Sequence, residues 1–174
     1  MRNIHIFYEG TIPDLCDNNV RFIGKHYNLK LWNESDIPYS NIFDSRIKFW
    51  DFCKYYIIHK EGGIILDPDV ILDTPDIFNL INDDLVFSRN AQGVIDNYFM
   101  YASKGNDFVR KLINMLILTK GKGLTRSVFM RLQNDVFVNT NCKFLQDMIA
   151  VYKPEYTILG DTDKMRHLSL KGWF

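Results

Sequence analysis

Gly62-Gly63-Ile64-Ile65-Leu66-Asp67-Pro68-Asp69-Val70-Ile71-Leu72 is the stretch whose reading decides the fold. The glycine pair can adopt the left-handed conformation that closes a helix. The apolar triplet after it reads as a buried strand. Pro68 has no N–H to give to a central ladder, so the strand must break there or lie at an edge. Asp67 and Asp69 stand at i and i+2, and on an extended segment they project to one side. Hard oxygen donors of this kind suit Mg²⁺ or Mn²⁺, which keep water and also bind phosphate oxygens. Taken alone, the triplet reads first as a solvated turn, which Asp and Pro form wherever they meet. Its place at the carboxyl end of an apolar strand favours a site, because open α/β sheets bind ligands there.

Upstream the pattern turns helical over residues 43–60. Phe43, Ile47, Trp50, Cys53 and Ile57 recur at helical spacing, and Phe49, Phe52, Tyr55, Tyr56 and Ile58 fill the other faces. A helix apolar nearly all round is buried. Asp51 and Lys54 share one face of it, and buried charges are costly unless something uses them. Two accounts stand side by side. One is a structural ion pair, shared with Glu61 or Arg46. The other is a ligand pair, with Asp51 accepting from a ribose hydroxyl and Lys54 facing a phosphate or sugar.

Further out, residues 4–8, 29–32, 85–88, 98–102 and 156–159 read as strands, and 108–118, 129–137 and 144–152 as helices. Strands alternating with helices predict one α/β sheet. A length of 174 residues suits a single domain, and 47% hydrophobic residues supply a sizeable core. Lys+Arg and Asp+Glu each number 21, a balance that argues against a nucleic-acid partner. Cys16, Cys53 and Cys142 have no ligand-type spacing and read as reduced thiols. The N-terminus reaches Glu9 too soon for a signal-peptide core, and the apolar run 112–118 is far short of a bilayer span. A cytoplasmic chain without a membrane span is the expectation.

The run from Trp50 to Val70 resembles the signature of the DXD-containing sugar transferases, the group of the Och-type mannosyltransferases and the glucosyltransferase domains of large clostridial toxins. Their pattern is a Ser-Asp-x-x-Arg helix start, a glycine pair, an apolar strand and Asp-x-Asp, and the spacing here matches without a gap. Trp50 replaces the usual Ser, and Lys54 replaces the usual Arg, keeping the charge but losing the bidentate fork. Ile4-His5-Ile6-Phe7-Tyr8-Glu9-Gly10 is similar to the family's first strand. Residues 27–33, ending in Leu31-Trp32-Asn33, are similar to its second. Asn97-Tyr98-Phe99-Met100-Tyr101-Ala102 resembles the strand near the transferred sugar. Gly123-Leu124-Thr125 partly matches a family turn, and His167-Leu168-Ser169-Leu170-Lys171-Gly172-Trp173 resembles the closing element.

The resemblance implies a GT-A type, Rossmann-like domain over residues 1–174, with a mixed, mostly parallel central sheet. It accommodates this being one domain of a longer protein. The implied partners are a nucleoside diphosphate sugar, UDP-linked by preference or GDP-mannose, and a glycan acceptor. Tyr8 would stack on the base and Asp51 would bind ribose or sugar beside Lys54. Asp69 would ligate Mn²⁺ or Mg²⁺, Asp67 would hold ribose or a metal-bound water, and His167 would complete the metal shell. Lys171 and Trp173 would close over the phosphates, and Asn97 would position the sugar or the acceptor. The named relatives retain anomeric configuration. Two rivals remain. One is a different Mg²⁺-dependent enzyme of diphosphates, a nucleotidyltransferase or sugar-nucleotide hydrolase, drawing further ligands from Glu155, Asp161 and Asp163. The other is a non-catalytic module that binds a nucleotide sugar or glycan.

Overall fold

The computed structural model describes residues 3–12, 14–73, 75–90, 93–121, 142–159 and 165–167, with Arg166 and His167 described by their backbone. The chain order is β1 (Asn3–Phe7), α1 (Asp14–His26), β2 (Asn28–Trp32), α2 (Arg46–Glu61), β3 (Gly63–Leu66) and β4 (Val70–Leu72). There follow β5 (Leu85–Arg89), β6 (Ile95–Ala102), α3 (Asp107–Thr119), α4 (Cys142–Tyr152), β7 (Thr157–Leu159) and β8 (Met165–His167). The expected helix over 129–137 and the Gly123-Leu124-Thr125 turn lie outside the described residues.

Six strands form one sheet in the order β2-β1-β3-β6-β5-β7. β1 pairs in parallel with β2 and β3, and β5 with β7. β6 runs antiparallel to both β3 and β5. The sheet is therefore mixed and mostly parallel, with β6 reversed in its middle. That reversal carries the start of β6 to the carboxyl end of β3.

Both faces of the sheet are covered, which is why β3 is apolar at every position. Ile65 packs with Phe52, Tyr55, Leu112 and Phe144 under α2, α3 and α4. Ile64 and Leu66 face Ile23, Val70 and Leu72 on the other side, where α1 lies. Gly62 ends α2 at φ +69°, and its N–H bonds to the Ile58 carbonyl at 2.9 Å, as expected for a glycine closing a helix. Cys16, Cys53 and Cys142 are all buried and none is in a disulfide. Among the described residues no helix is long and apolar enough to cross a membrane.

Two features depart from the sequence reading, and a third follows its first reading of the aspartate triplet. α1 has no counterpart in it. The chain does break at Pro68, but β4 leaves the main sheet and pairs instead with β8, a strand the tail's pattern does not announce. The Asp67-Pro68-Asp69 segment is a turn rather than extended chain, closed by Val70 N–H donating to the Asp67 carbonyl at 3.0 Å. Proline at the second position of such a turn fixes φ and loses no needed donor.

Candidate active site

The turn sits where β3 leaves the sheet, tied to β6 by Asp67 N–H donating to the Tyr98 carbonyl at 2.8 Å. The two aspartates diverge from it. Asp67 turns toward α2, where Lys54 Nζ lies 2.5 Å from its Oδ1. Asp69 is 6% exposed, close enough to α1 that, after burial, its charge is what raises the pKa of the Cys16 thiol.

From Asp67 a line of polar side chains runs inward. Lys54 also reaches the Asn97 side-chain oxygen at 3.4 Å. The amide of Asn97 donates to Asp51 at 2.8 Å and to the Tyr55 hydroxyl at 3.3 Å. Asn97 and Asp51 are 1% and 4% exposed, so this network stands in the interior, where hydrogen bonds are electrostatically strong. Burial lowers the Lys54 pKa, but the carboxylates of Asp67 and Asp51 outweigh it and raise the pKa above its ordinary value. Burial and the nearby Asp51 charge push the Tyr55 phenol well up.

Glu61 and Arg46, the two candidates for sharing an Asp51–Lys54 ion pair, have partners elsewhere. Glu61 pairs with Lys30 at 3.8 Å, and Arg46 with Glu34 at 2.5 Å, because both lie at the ends of α2 while Lys54 lies at its middle. Of the residues expected in the site, Asp51, Lys54, Asp67 and Asn97 are joined directly, and Asp69 stands two residues along. Tyr8 is half-buried just past β1 and packs on the α1 side of the core. The backbone of His167 stands opposite Val70, the residue after Asp69. Lys171, Trp173, Asp161 and Asp163 lie outside the described residues. Glu155 shares a groove with Leu85, Asp107 and Lys111. Leu85 pairs with Ala102, which pairs with Gly63 at the start of β3. Glu155 therefore stands at the opposite edge of the sheet from Asp67.

Two groups near the turn were not anticipated. Trp50 stacks edge-on against Phe7, and its indole N–H donates to Glu34 at 2.6 Å. Glu34 thus joins the end of β2 to the start of α2, and the Arg46 hydrogen bond and Trp50 help hold its carboxyl below the usual range. On the other side, Asn19 of α1 bonds to the backbone of residues 68–72. The signal for Asn19 was its helical spacing from Cys16 and Ile23.

Solved structures share this fold. One is the PaToxG glycosyltransferase, with a TM-score of 0.57 and 12% identity over 87% of this chain and 69% of that one. Another is a glycosyltransferase involved in the glycosylation of the major capsid of PBCV-1, with 0.55 and 12% over 91% and 80%. No protein-family model matches the chain, and no curated protein does. The fold is thus the α/β type expected, a mixed, mostly parallel sheet of GT-A type.

Proposed function

We propose that this chain transfers a sugar from a nucleoside diphosphate sugar, UDP-linked by preference, to a glycan acceptor, with a divalent cation at the Asp67-Pro68-Asp69 turn. The observation that carries the reading is the buried line from Asp51 through Asn97 and Lys54 to Asp67. It offers alternating acceptors and donors at the carboxyl edge of the sheet, where an open α/β sheet binds ligands. Support also comes from the fold, shared with two proteins that are glycosyltransferases.

The carboxylates of the turn are the hard oxygen donors such a cation takes, with Asp67 held by Lys54 in this structure. Mg²⁺ bound with a diphosphate uses one or two carboxylates, the rest being phosphate oxygens and water. The turn supplies two carboxylates, and no cluster of three acidic, His or Cys side chains occurs among the described residues. Asp69 would hold the cation directly, Asp67 through a water or by way of ribose, and His167 from β8. Such an ion, when bound, neutralises charge developing on the departing diphosphate.

The chain's own groups do the positioning. Asp51 accepts from a hydroxyl of the sugar or ribose. Lys54 brings a fixed positive charge to the same end of the molecule. Asn97 holds both in orientation, so that the nucleotide sugar meets a preorganised site. Tyr8 would stack on the base, and the resemblance gives Lys171 and Trp173 the part of closing over the phosphates. In a retaining transfer the acceptor hydroxyl attacks from the leaving-group side and gives its proton to the departing diphosphate oxygen, which requires no protein base.

The test is incubation with Mn²⁺ and a panel of nucleotide sugars, measuring free nucleoside diphosphate. Release from one member of the panel is expected, lost on chelation and lost in a folded Asp69→Asn variant. Release from none, with calorimetry still detecting nucleotide binding, would leave a binding module instead.

A further inference from the structure

The aspartate turn runs between two sheets, with β3 in one and β4 in the other, and Asn19 of α1 grips it from the side away from Lys54. Asn19 is 5% exposed. Its Nδ2 donates to the Val70 carbonyl at 2.7 Å and, over a longer 3.4 Å, to the Pro68 carbonyl. Its Oδ1 accepts from the Leu72 N–H at 3.2 Å. A carbonyl at one position and an N–H two residues on are the groups that one residue of an adjoining parallel strand would engage. The carboxamide of Asn19 therefore does the work of a missing strand along β4. It needs a donor and an acceptor on one short planar group, which neither a carboxylate nor an apolar side chain provides. Cys16, one turn earlier on the same helix and 0% exposed, brings α1 close to Asp69 as well.

We infer that Asn19 is a positioning residue for the Asp67-Pro68-Asp69 turn, fixing the backbone that carries both carboxylates and so setting the affinity for a divalent cation with a nucleoside diphosphate. The inference rests on the metal reading proposed above. The amide bonds close over the residues just after Asp69, so their loss frees the turn without touching a ligand group.

The experiment compares Asn19→Leu, Asn19→Asp and Ile23→Ala. Ile23 is 0% exposed on the same helix, and the Ile23→Ala variant loosens α1 without removing a bond to the turn. Two quantities are read: the half-saturating Mn²⁺ concentration in the presence of UDP or GDP, by calorimetry, and hydrogen exchange of the Leu72 amide. Both Asn19 variants should raise half-saturating Mn²⁺ about tenfold and speed Leu72 exchange by a similar factor, whereas Ile23→Ala, which thins the packing on Val70 and Leu72, speeds exchange but keeps half-saturating Mn²⁺ within about twofold of wild type. An equal shift of half-saturating Mn²⁺ in Ile23→Ala would reduce Asn19 to general support of the helix and overturn the inference. Unchanged Mn²⁺ half-saturation in the Asn19 variants would overturn it too, as would unchanged Leu72 exchange. Wild-type protein that binds nucleotide with no dependence on Mn²⁺ would instead overturn the metal reading beneath it.

Discussion

The side-chain amide of Asn97 lies 2.8 Å from the Asp51 carboxylate, joining the start of β6 to the middle of α2. Both residues are almost fully buried, so the pair is sensitive to charge. Asn97→Asp would set a second carboxylate against the first, and two such groups cannot both ionise in the interior. At neutral pH this variant should lose about 3 kcal/mol or more of stability. The new carboxyl has a raised folded-state pKa, so the loss shrinks as pH falls and the native state takes up the proton. Asn97→Ala removes the partner without adding charge and should cost about 1–3 kcal/mol, a smaller loss that also eases as acid protonates Asp51. Urea unfolding of both variants at neutral and acidic pH checks this.

Lys54 and Asp67 form the ion pair nearest the turn, at 2.5 Å and with both side chains largely shielded. Because the neighbouring carboxylates hold the lysine pKa up against burial, the charge persists throughout the physiological range. Lys54→Met should lower kcat/KM for nucleotide-sugar turnover about 10–100-fold, the range for losing a hydrogen bond to a charged group. Lys54→Arg keeps the charge and adds a bidentate fork, and should stay within about tenfold of wild type. Steady-state release of nucleoside diphosphate separates the two. Equal losses in both variants would show that the charge of Lys54 is not what matters.

The parts of the fold legible in the sequence are those whose signal is local. α2 is apolar on every face, and β3 is a short apolar run between a glycine pair and a proline. α1 escapes because one position of its buried stripe, Cys16, Asn19 and Ile23, is polar, and the apolar period breaks where function needs an amide. Asp51 and Lys54 are legible as charges on a buried helix. Asn97 enters the reading only through the resemblance, and its bond to Asp51 is not legible, since Asn97 lies 46 residues away and arrives only because β6 is reversed in the sheet. The Glu34 cluster is hidden for the same reason: its bonds to Trp50 and Arg46 require β2 and α2 to lie side by side. Spacing predicts which residues share an element. Which elements meet is decided by the topology.

Gly63 opens β3 at φ +100°, and a Cβ there would stand 2.6 Å from the Asn3 carbonyl oxygen. That atom belongs to the backbone of β1 and cannot swing aside. Gly63→Ala therefore combines backbone strain with a clash at the β1–β3 pairing, and should cost more than about 2 kcal/mol. Thermal unfolding checks the size. Hydrogen exchange at Ile4 and Ile6 should speed up if the loss arises where the geometry says it does.

His5 gives the molecule a defined acid response. Its ring is 1% exposed and lies between two partners, the Trp32 indole at 3.1 Å from Nδ1 and the Gly62 carbonyl at 2.9 Å from Nε2. An indole N–H can only donate and a carbonyl can only accept, so Nδ1 is the acceptor and Nε2 carries the single proton. Burial lowers the pKa from 6.5; the Gly62 bond and Glu61 oppose it in part, and Lys30 adds to it. Below about pH 6.5 the unfolded chain takes up a proton here that the native ring refuses. The stability that His5 contributes is thus complete above that pH and drains away as pH falls toward the folded-state value. The slope can reach at most about 1.4 kcal/mol per pH unit for one proton. Urea unfolding across this window should show a slope in wild type that His5→Leu reduces, whatever its absolute stability. An unreduced slope would place the titration elsewhere. Protonation would place an N–H on Nδ1 against the Trp32 indole N–H, so the contact that suffers is the one between β1 and β2, while the bond to the Gly62 carbonyl is kept.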